Sequence, residues 1–215
     1  MLRAAPKPTT WLEQLPEPSN DGSLYWVFGS SFGEPGSAVN YVNVDIHRDL
    51  DAVYDRLAEP LDATSTDLEA FRSHGGKLIM YHGWADPRIP SQNTIDYFNA
   101  LVVHDRDHHD EMTGQTELQR TQSYARLFMA PGMYHCVGGP GPNSFDPLTA
   151  LVSWVETGVA PETIIATKFV NDTPPMVQMT RPLCVFPEVA KYNGSGSTND
   201  AANFSCVADT PDLKR

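Results

Sequence analysis

The sequence of 215 residues has no cluster of lysine and arginine and no long hydrophobic run. Its 15 basic and 27 acidic residues give a formal net charge of −12 at pH 7, and such a field repels polyanions. We therefore expect neither nucleic acid nor an anionic membrane surface as a partner. No apolar stretch approaches the roughly 20 residues that span a bilayer. The beginning of the chain also lacks the long apolar segment of an intact secretion signal.

Cysteine is scarce too, with only Cys136, Cys184 and Cys206 present. No two of them have the CxxC spacing of a zinc site or a thioredoxin-like motif. Cys184 and Cys206 enclose a segment rich in Pro, Gly and Asn, and a disulfide between them would stabilise the fold by about 3 kcal/mol in the chain-entropy model. Two buried thiols are the alternative. Cys136 is left over as a free thiol or with its partner missing, and this use of cysteine favours a secreted or periplasmic location.

Hydrophobic residues make up 40% of the chain, enough for a packed core, and their pattern changes along it. Residues 1–60 are irregular and are interrupted by prolines and glycines. Helical and strand patterns then alternate: the predicted helices are 67–72, 90–103 and 146–156, and the predicted strands are 77–83, 124–130, 163–169 and 179–183. The polar segment 104–122 is predicted as a loop with some helix, and 191–200 as a flexible loop. This order is typical of an α/β layer architecture, in which functional groups lie beyond the carboxyl ends of parallel strands.

An acidic residue and a histidine follow two consecutive predicted strands. Asp86 comes shortly after the strand 77–83, and His135 shortly after the strand 124–130. An α/β-hydrolase delivers its acid and its histidine in this order, after a nucleophile that lies earlier in the chain. The carboxylate would accept a hydrogen bond from one imidazole nitrogen and so leave the other nitrogen able to take a proton. The alternative is that Asp86 caps a turn before Pro87 and that His135 is an ordinary loop residue.

Several long strings around these residues resemble one enzyme family. The string GGKLIMYHGWADP at 75–87 is similar to the acid-bearing segment of the tannase and feruloyl esterase family. The string FMAPGMYHC at 128–136, followed by GGPG, is similar to the histidine segment of that family. The C-terminal strings RPLC at 181–184 and AANFSC at 201–206 are similar to its tail. These strings are long and uncommon, so the resemblance, which covers residues 61–208, is specific.

The resemblance implies an α/β fold of the α/β-hydrolase type, of which this chain holds one half. Residues 61–215 would form the C-terminal half of the hydrolase domain, preceded at 1–60 by the end of a lid domain. Asp86 would be the acid and His135 the general base of a Ser-His-Asp triad.

The resemblance also implies roles for the cysteines. It pairs Cys184 with Cys206. In the family, a cysteine beside the catalytic serine forms a disulfide with the cysteine after the histidine, which here is Cys136. By position, Trp84 and Ile89 are expected to line the substrate pocket, although core packing fits Trp84 almost equally well.

The serine of the family lies in a Gly-Cys-Ser-x-Gly-Gly motif, which this sequence lacks. The chain therefore resembles one half of a longer esterase, without the serine, the oxyanion hole or most of the lid. No cofactor is expected in the chemistry and no metal in this chain, because the calcium site of the family belongs to the absent part of the lid. Ser31, in GSSFG at 29–33, fits the GxSxG pattern of a nucleophile. The Glu34-Pro35-Gly36 that follows is a poor helix start, however, so a lid loop is the preferred interpretation.

We therefore expect a carboxylic ester hydrolase that acts on small aromatic esters of the hydroxycinnamoyl, galloyl or terephthalate type. The alternative is a catalytically incomplete remnant, or a binding module, that needs a second segment to supply the serine. A self-contained hydrolase that uses Ser31 is a third interpretation. Half a parallel sheet would also expose a strand edge that the missing strands would cover, which predicts self-association.

Overall fold

The computed structural model describes residues 51, 54, 55, 58, 62–108 and 114–208. The chain divides into two compact units, Met1–Ser65 and Thr66–Arg215. Ser31 and most of the predicted lid segment lie outside the described residues, so the role of 1–60 stays a prediction. The second unit contains helices α1 (Glu69–Ser73), α2 (Ser91–His108), α3 (Glu117–Gln122) and α4 (Pro147–Thr157), and strands β1 (Leu78–Gly83), β2 (Ala125–Ala130), β3 (Thr163–Phe169), β4 (Val177–Cys184), β5 (Glu188–Tyr192) and β6 (Phe204–Ala208).

A parallel pair of strands carries the two predicted site segments. β1 and β2 run in register, from Leu78 opposite Ala125 to Gly83 opposite Ala130. Every residue of β2 is buried, as expected of an apolar strand covered on both faces, whereas β1 is mostly half-buried. Among the described residues β1 pairs with β2 alone, and the predicted self-association stays a prediction. Because the strands are parallel, the segments that follow them start at the same edge of the sheet.

The predicted helix 90–103 is observed as part of α2, and it has an apolar face. Ile95, Phe98 and Leu101 are buried, one helical turn apart or nearly so. The ring of Phe98 meets the ring of Phe186 edge-on, with their centroids 5.8 Å apart. This packing fixes the helix that follows the acid-bearing segment.

Helix α4 begins and ends at the residues that the sequence indicates. The side chain of Asp146 accepts a hydrogen bond from the backbone N–H of Thr149 at 2.9 Å, and Pro147 occupies the first helical position. The hydroxyl and the N–H of Thr149 also hold the pKa of Asp146 below its ordinary value. At the other end Gly158 adopts the left-handed conformation, with φ 74°. Trp154 is the buried residue of this helix.

The polar segment 104–122 is more helical than predicted. Helix α2 continues past residue 103 to His108, and α3 begins after Thr116, whose side chain caps it. The reason is a buried carboxylate: Asp105 accepts hydrogen bonds from the hydroxyls of Thr121 at 2.5 Å and of Tyr124 at 3.1 Å. These bonds compensate the desolvation of Asp105 and join α2 to the segment before β2.

The C-terminal part contains two strands that the sequence did not predict. β3 pairs with β4 in an antiparallel hairpin, as two strands close to those predicted. β5 and β6 also pair antiparallel, from Glu188 opposite Ala208 to Tyr192 opposite Phe204, so the start of the predicted loop 191–200 belongs to a strand. Their residues are exposed or half-buried, which explains the weak sequence signal.

A disulfide joins Cys184, the last residue of β4, to Cys206 in β6, as the resemblance implies. The Cα atoms of the two residues are 5.6 Å apart, within the range that a disulfide spans. The bond ties the second hairpin to the first.

The main core cluster joins the parallel pair to the β3/β4 hairpin. It includes Phe128 of β2, Leu183 of β4 and Met133 of the segment after β2, all fully buried. Met133 lies two residues before His135, so the histidine segment is anchored in the core. In the part of the chain that the structure describes, no helix combines the length and the apolar character needed to cross a bilayer.

Candidate active site

The segments after β1 and β2 come together because Gly83 permits it. A Cβ atom on Gly83 would lie 2.2 Å from the carbonyl oxygen of Met133 and 2.7 Å from that of Tyr134, so no larger residue fits there without a shift. The backbone N–H of Trp84 donates to the carbonyl of Ala130 at 3.0 Å, and the next N–H, of Ala85, donates to Met133 at 3.1 Å. These contacts hold the acid segment against the histidine segment.

The histidine segment is fixed at its far end as well. The ammonium of Lys168, on β3, donates to the carbonyl of Gly139 at 2.6 Å and to the carboxylate of Asp172 at 2.5 Å. The side-chain amide of Asn143 donates to the same carboxylate oxygen. The hydrogen bonds from Asn143 and Lys168 hold the pKa of Asp172 below its ordinary value, so it stays ionised and retains Lys168 near Gly139.

Asp86 and His135, the two predicted catalytic residues, are in direct contact. Oδ2 of Asp86 and Nδ1 of His135 are 2.8 Å apart. The side chain of Asp86 is 4% exposed and that of His135 is 42% exposed. A carboxylate only accepts hydrogen bonds, so Nδ1 of His135 carries the hydrogen. In the neutral imidazole this leaves Nε2 as an acceptor.

The other oxygen of Asp86 is bound by the backbone. Oδ1 accepts from the N–H of Arg88 at 2.8 Å and from the N–H of Ile89 at 3.0 Å. Burial by itself would raise the pKa of Asp86. The N–H of Ile89, the imidazole of His135 and the N–H of Arg88 outweigh that effect and hold the pKa well below its ordinary value. The acid is therefore an ionised carboxylate near neutral pH. Asp86 does cap a turn, as the alternative interpretation held, and it contacts His135 as well.

A second histidine reaches the same carboxylate, and the sequence analysis missed it. Nε2 of His82 lies 3.1 Å from Oδ2 of Asp86 and 3.2 Å from the carbonyl oxygen of Ile89. Its Nδ1 lies 2.6 Å from the hydroxyl oxygen of Thr94, in helix α2. His82 stands in the apolar string of β1 and looked like part of the core. The signal that could have found it is a polar side chain at a strand end, four residues before the acid.

A small pocket of about 90 Å³ lies beside the Asp86–His135 pair. It is lined by Tyr81, His82, Gly83, Asp86, Ile89, Met133, His135 and Cys136. Ile89 lines this pocket, and its role in substrate binding stays a prediction. Among the described residues that line it, neither Trp84 nor any serine occurs, and the substrate-binding role of Trp84 stays a prediction.

The nucleophile and the partner of Cys136 are not among the groups that the structure describes at this site. Ser31 lies outside the described residues. Cys136 is an exposed, free thiol with φ 63°, directly after His135. Within residues 62–108 and 114–208 no group of three or more His, Cys, Asp and Glu side chains is arranged to hold a metal ion.

The sequence and the fold identify the family. The chain matches the family described as tannase and feruloyl esterase over residues 35–207, and it belongs to that family. It is 43% identical over 172 residues to an uncharacterized esterase of Xanthomonas campestris, which covers 72% of this chain and 30% of that protein. It is 46% identical over 146 residues to mono(2-hydroxyethyl) terephthalate hydrolase of Piscinibacter sakaiensis, which covers 68% of this chain and 22% of that one.

Solved structures of esterases resemble the chain as well. An esterase from Aspergillus oryzae superposes with a TM-score of 0.68 at 28% identity, over 85% of this chain and 36% of that chain. Feruloyl esterase B from the same organism superposes with a TM-score of 0.65 at 26% identity, over the same shares. The fold is therefore α/β-hydrolase-like. The chain spans about a third or less of the length of these relatives.

Proposed function

We propose that this chain supplies the acid and the general base of a carboxylic ester hydrolase with a Ser-His-Asp mechanism. The observation that carries the proposal is the 2.8 Å contact between Oδ2 of Asp86 and Nδ1 of His135. It selects the imidazole tautomer whose Nε2 can take a proton from a hydroxyl. The ester hydrolases among the relatives support the same reaction class.

The chemistry needs two proton transfers through His135. In the first half-reaction, a serine oxygen forms a bond to the ester carbonyl carbon while its proton passes to Nε2. The tetrahedral intermediate then expels the alcohol, which leaves with that proton. A water molecule repeats the sequence on the acyl-enzyme and releases the acid. Throughout, Asp86 orients the ring and stabilises the imidazolium without taking the proton itself.

We propose small aromatic esters as the substrates. The pocket beside the pair has apolar walls formed by Tyr81, Ile89 and Met133, which suit a flat ring. The names of the feruloyl and terephthalate ester hydrolases among the relatives agree with this class. No cofactor takes part in this proposal.

A second candidate is a catalytically incomplete chain that needs another segment to supply the serine. Two observations favour it. The chain spans 30% and 22% of the length of two related hydrolases, and no serine occurs among the described residues that line the pocket.

Ester hydrolysis by the chain as it stands separates the two candidates. The substrates are a p-nitrophenyl short-chain ester and a feruloyl ester, and the variant is His135→Ala. Its matched control is His74→Ala, because His74 is an exposed histidine whose ring bonds only the local carbonyl of Ala70. If the chain is self-contained, turnover falls by about 10³-fold or more in the first variant and stays in the control.

Absence of turnover in all three proteins would favour the incomplete chain. Equal turnover in the wild type and in His135→Ala would contradict the role proposed for His135.

The disulfide supports a proposal about location. A bond between Cys184 and Cys206 forms and persists in oxidising compartments, and it is rare in the cytosol. We therefore propose a secreted or periplasmic protein.

A further inference from the structure

His82 is held in one orientation by groups on three elements. Its ring belongs to strand β1, where the residue pairs with Met129 of β2. One ring nitrogen contacts Thr94 of helix α2 and the other contacts the acid segment. The side chain is 11% exposed. The ring is therefore a half-buried cross-link between the strand, the helix and the loop that carries Asp86.

The partners of His82 define its tautomer. Nε2 faces the carboxylate of Asp86 and the carbonyl of Ile89, and both of these groups only accept hydrogen bonds. Nε2 must therefore carry a hydrogen. Nδ1 then accepts from the hydroxyl of Thr94, which is able to donate at 2.6 Å. This assignment satisfies every polar atom of the ring.

Two imidazoles share one oxygen of Asp86. Oδ2 accepts hydrogen bonds from Nε2 of His82 at 3.1 Å and from Nδ1 of His135 at 2.8 Å. Oδ1 receives two backbone N–H groups, so the four acceptor directions of the carboxylate are all used. The two backbone bonds fix Oδ1, but the carboxylate can still turn about Oδ1 and so move Oδ2. The bond from His82 removes this freedom.

We propose that His82 is a positioning residue, which holds Oδ2 of Asp86 at the place where His135 donates to it. His82 comes from a paired strand, so the sheet holds the donor that fixes the acid. The consequence for catalysis rests on the proposed function, because it acts through Asp86 and His135. The hydrogen-bond arrangement itself does not depend on ester turnover.

The first test reads the tautomers of the wild-type chain by ¹⁵N NMR of the imidazole rings at slightly alkaline pH. The signals of His82 and His135 are assigned from their loss in the His82→Gln and His135→Ala variants. The expected result is a hydrogen on Nε2 of His82 and on Nδ1 of His135. A hydrogen on Nδ1 of His82 would overturn the proposal, because that ring could not donate to Asp86.

The second test compares two substitutions of His82. His82→Gln keeps an N–H donor at about the position of Nε2, whereas His82→Leu keeps a similar volume and removes the donor. In His82→Gln we expect His135 to keep its hydrogen on Nδ1. In His82→Leu we expect a mixture of both tautomers of His135, because the carboxylate turns away. Circular dichroism verifies that each variant is folded.

Either of two results would overturn the positioning role. One is an unchanged tautomer of His135 in His82→Leu. The other is the same loss in His82→Gln as in His82→Leu, which would mean that only the packing of the ring matters. If His82→Leu does not fold, the wild-type tautomer of His82 decides whether the donor exists.

Turnover separates this proposal from the proposed function. If the chain hydrolyses esters, His82→Leu lowers kcat by about 10-fold or more and leaves KM nearly unchanged, and His82→Gln restores most of kcat. If the chain hydrolyses none, the tautomer measurements still decide the role of His82. The expected tautomers without any turnover would support the positioning role and count against activity of the chain alone.

Discussion

At the scale of single residues, Asp86 is the centre of the candidate site. Its two oxygens receive four donors: the N–H groups of Arg88 and Ile89, and the rings of His82 and His135. Such an arrangement suits an ionised carboxylate and no neutral group of the same shape. The carboxylate is consequently a source of stability as well as an orienting group for the histidine.

The charge of Asp86 should make the free energy of unfolding depend on pH. A lowered pKa in the folded state means that the unfolded chain binds the proton more readily. The contribution to the free energy of unfolding is therefore fully present above the ordinary value of 3.8 and is lost as the pH falls below it. We expect Asp86→Asn to be less stable than the wild type near neutrality, because its amide presents N–H groups to donors. The difference should narrow as the pH falls from about 4 to about 2.

Urea denaturation at several pH values measures this difference. Asp96→Asn is a matched control, because Asp96 is exposed on helix α2 and bonds Gln92. A stability difference for Asp86→Asn that does not vary with pH would contradict the prediction.

The residues of the site were predicted unevenly, for a physical reason. Asp86 and His135 were found because polar groups directly after apolar strands stand out in a sequence. His82 was missed because a single histidine inside an apolar string is usually a satisfied core residue. Only the fold brings its two nitrogens to Asp86 and Thr94.

At the scale of elements, the approach of two loops depends on one glycine. Gly83 ends β1, and the carbonyls of Met133 and Tyr134 occupy the space that a side chain would need. Both obstructing atoms are backbone carbonyl oxygens, so a change of side-chain rotamer nearby cannot make room. The distance between the acid and the histidine is thus set by the strand end.

Gly83→Ala should separate the acid and histidine segments. The added carbon would lie 2.2 Å from the carbonyl oxygen of Met133, so the loops must move apart. We expect a loss of about 1–3 kcal/mol in the free energy of unfolding, as for other overpacked sites. We also expect loss of the Nδ1–H signal of His135 in proton NMR. Gly194→Ala is the control, because a carbon there meets nothing within 4 Å and carries only the strain of a positive φ. Retention of the His135 signal in Gly83→Ala would contradict this view of the glycine.

The elements also show which parts of the fold a sequence pattern predicts and which it does not. The paired strands β1 and β2 and the capped helix α4 were predicted within a few residues, because apolar runs and caps both leave clear patterns. The extension of α2 to His108 was not predicted, because it depends on the long-range bonds of Asp105 to Thr121 and Tyr124. The strands β5 and β6 lack an apolar run, since they are held by each other and by the disulfide.

At the scale of the whole molecule, the strands described in Thr66–Arg215 form a parallel pair and two antiparallel hairpins. The core cluster of Phe128, Met133 and Leu183 joins the first two, and the Cys184–Cys206 bond joins the last two. The C-terminal hairpin is therefore attached to β4 by this covalent bond and by hydrogen bonds such as that from the N–H of Thr180 to the carbonyl of Asn199 at 2.9 Å.

Removal of this disulfide should destabilise the fold. We expect the double variant Cys184→Ser/Cys206→Ser to lose about 3 kcal/mol in the free energy of unfolding, from the larger entropy of the unfolded chain. Urea denaturation with and without a reductant measures the effect, and reduced wild type should match the variant. Cys136→Ser is the control, because that thiol is exposed and free. Equal stability of the oxidised and reduced wild type would refute the prediction.

The hydrogen bond from Lys168 to Gly139 affects how a substrate would reach His135. The segment with His135 follows β2 at one end. At its other end, the carbonyl of Gly139 accepts a hydrogen bond from the ammonium of Lys168, which belongs to β3. Moving this segment outward would break the hydrogen bond from the ammonium of Lys168 to the carbonyl of Gly139. In the proposed mechanism His135 therefore stays in place, and the ester has to approach it.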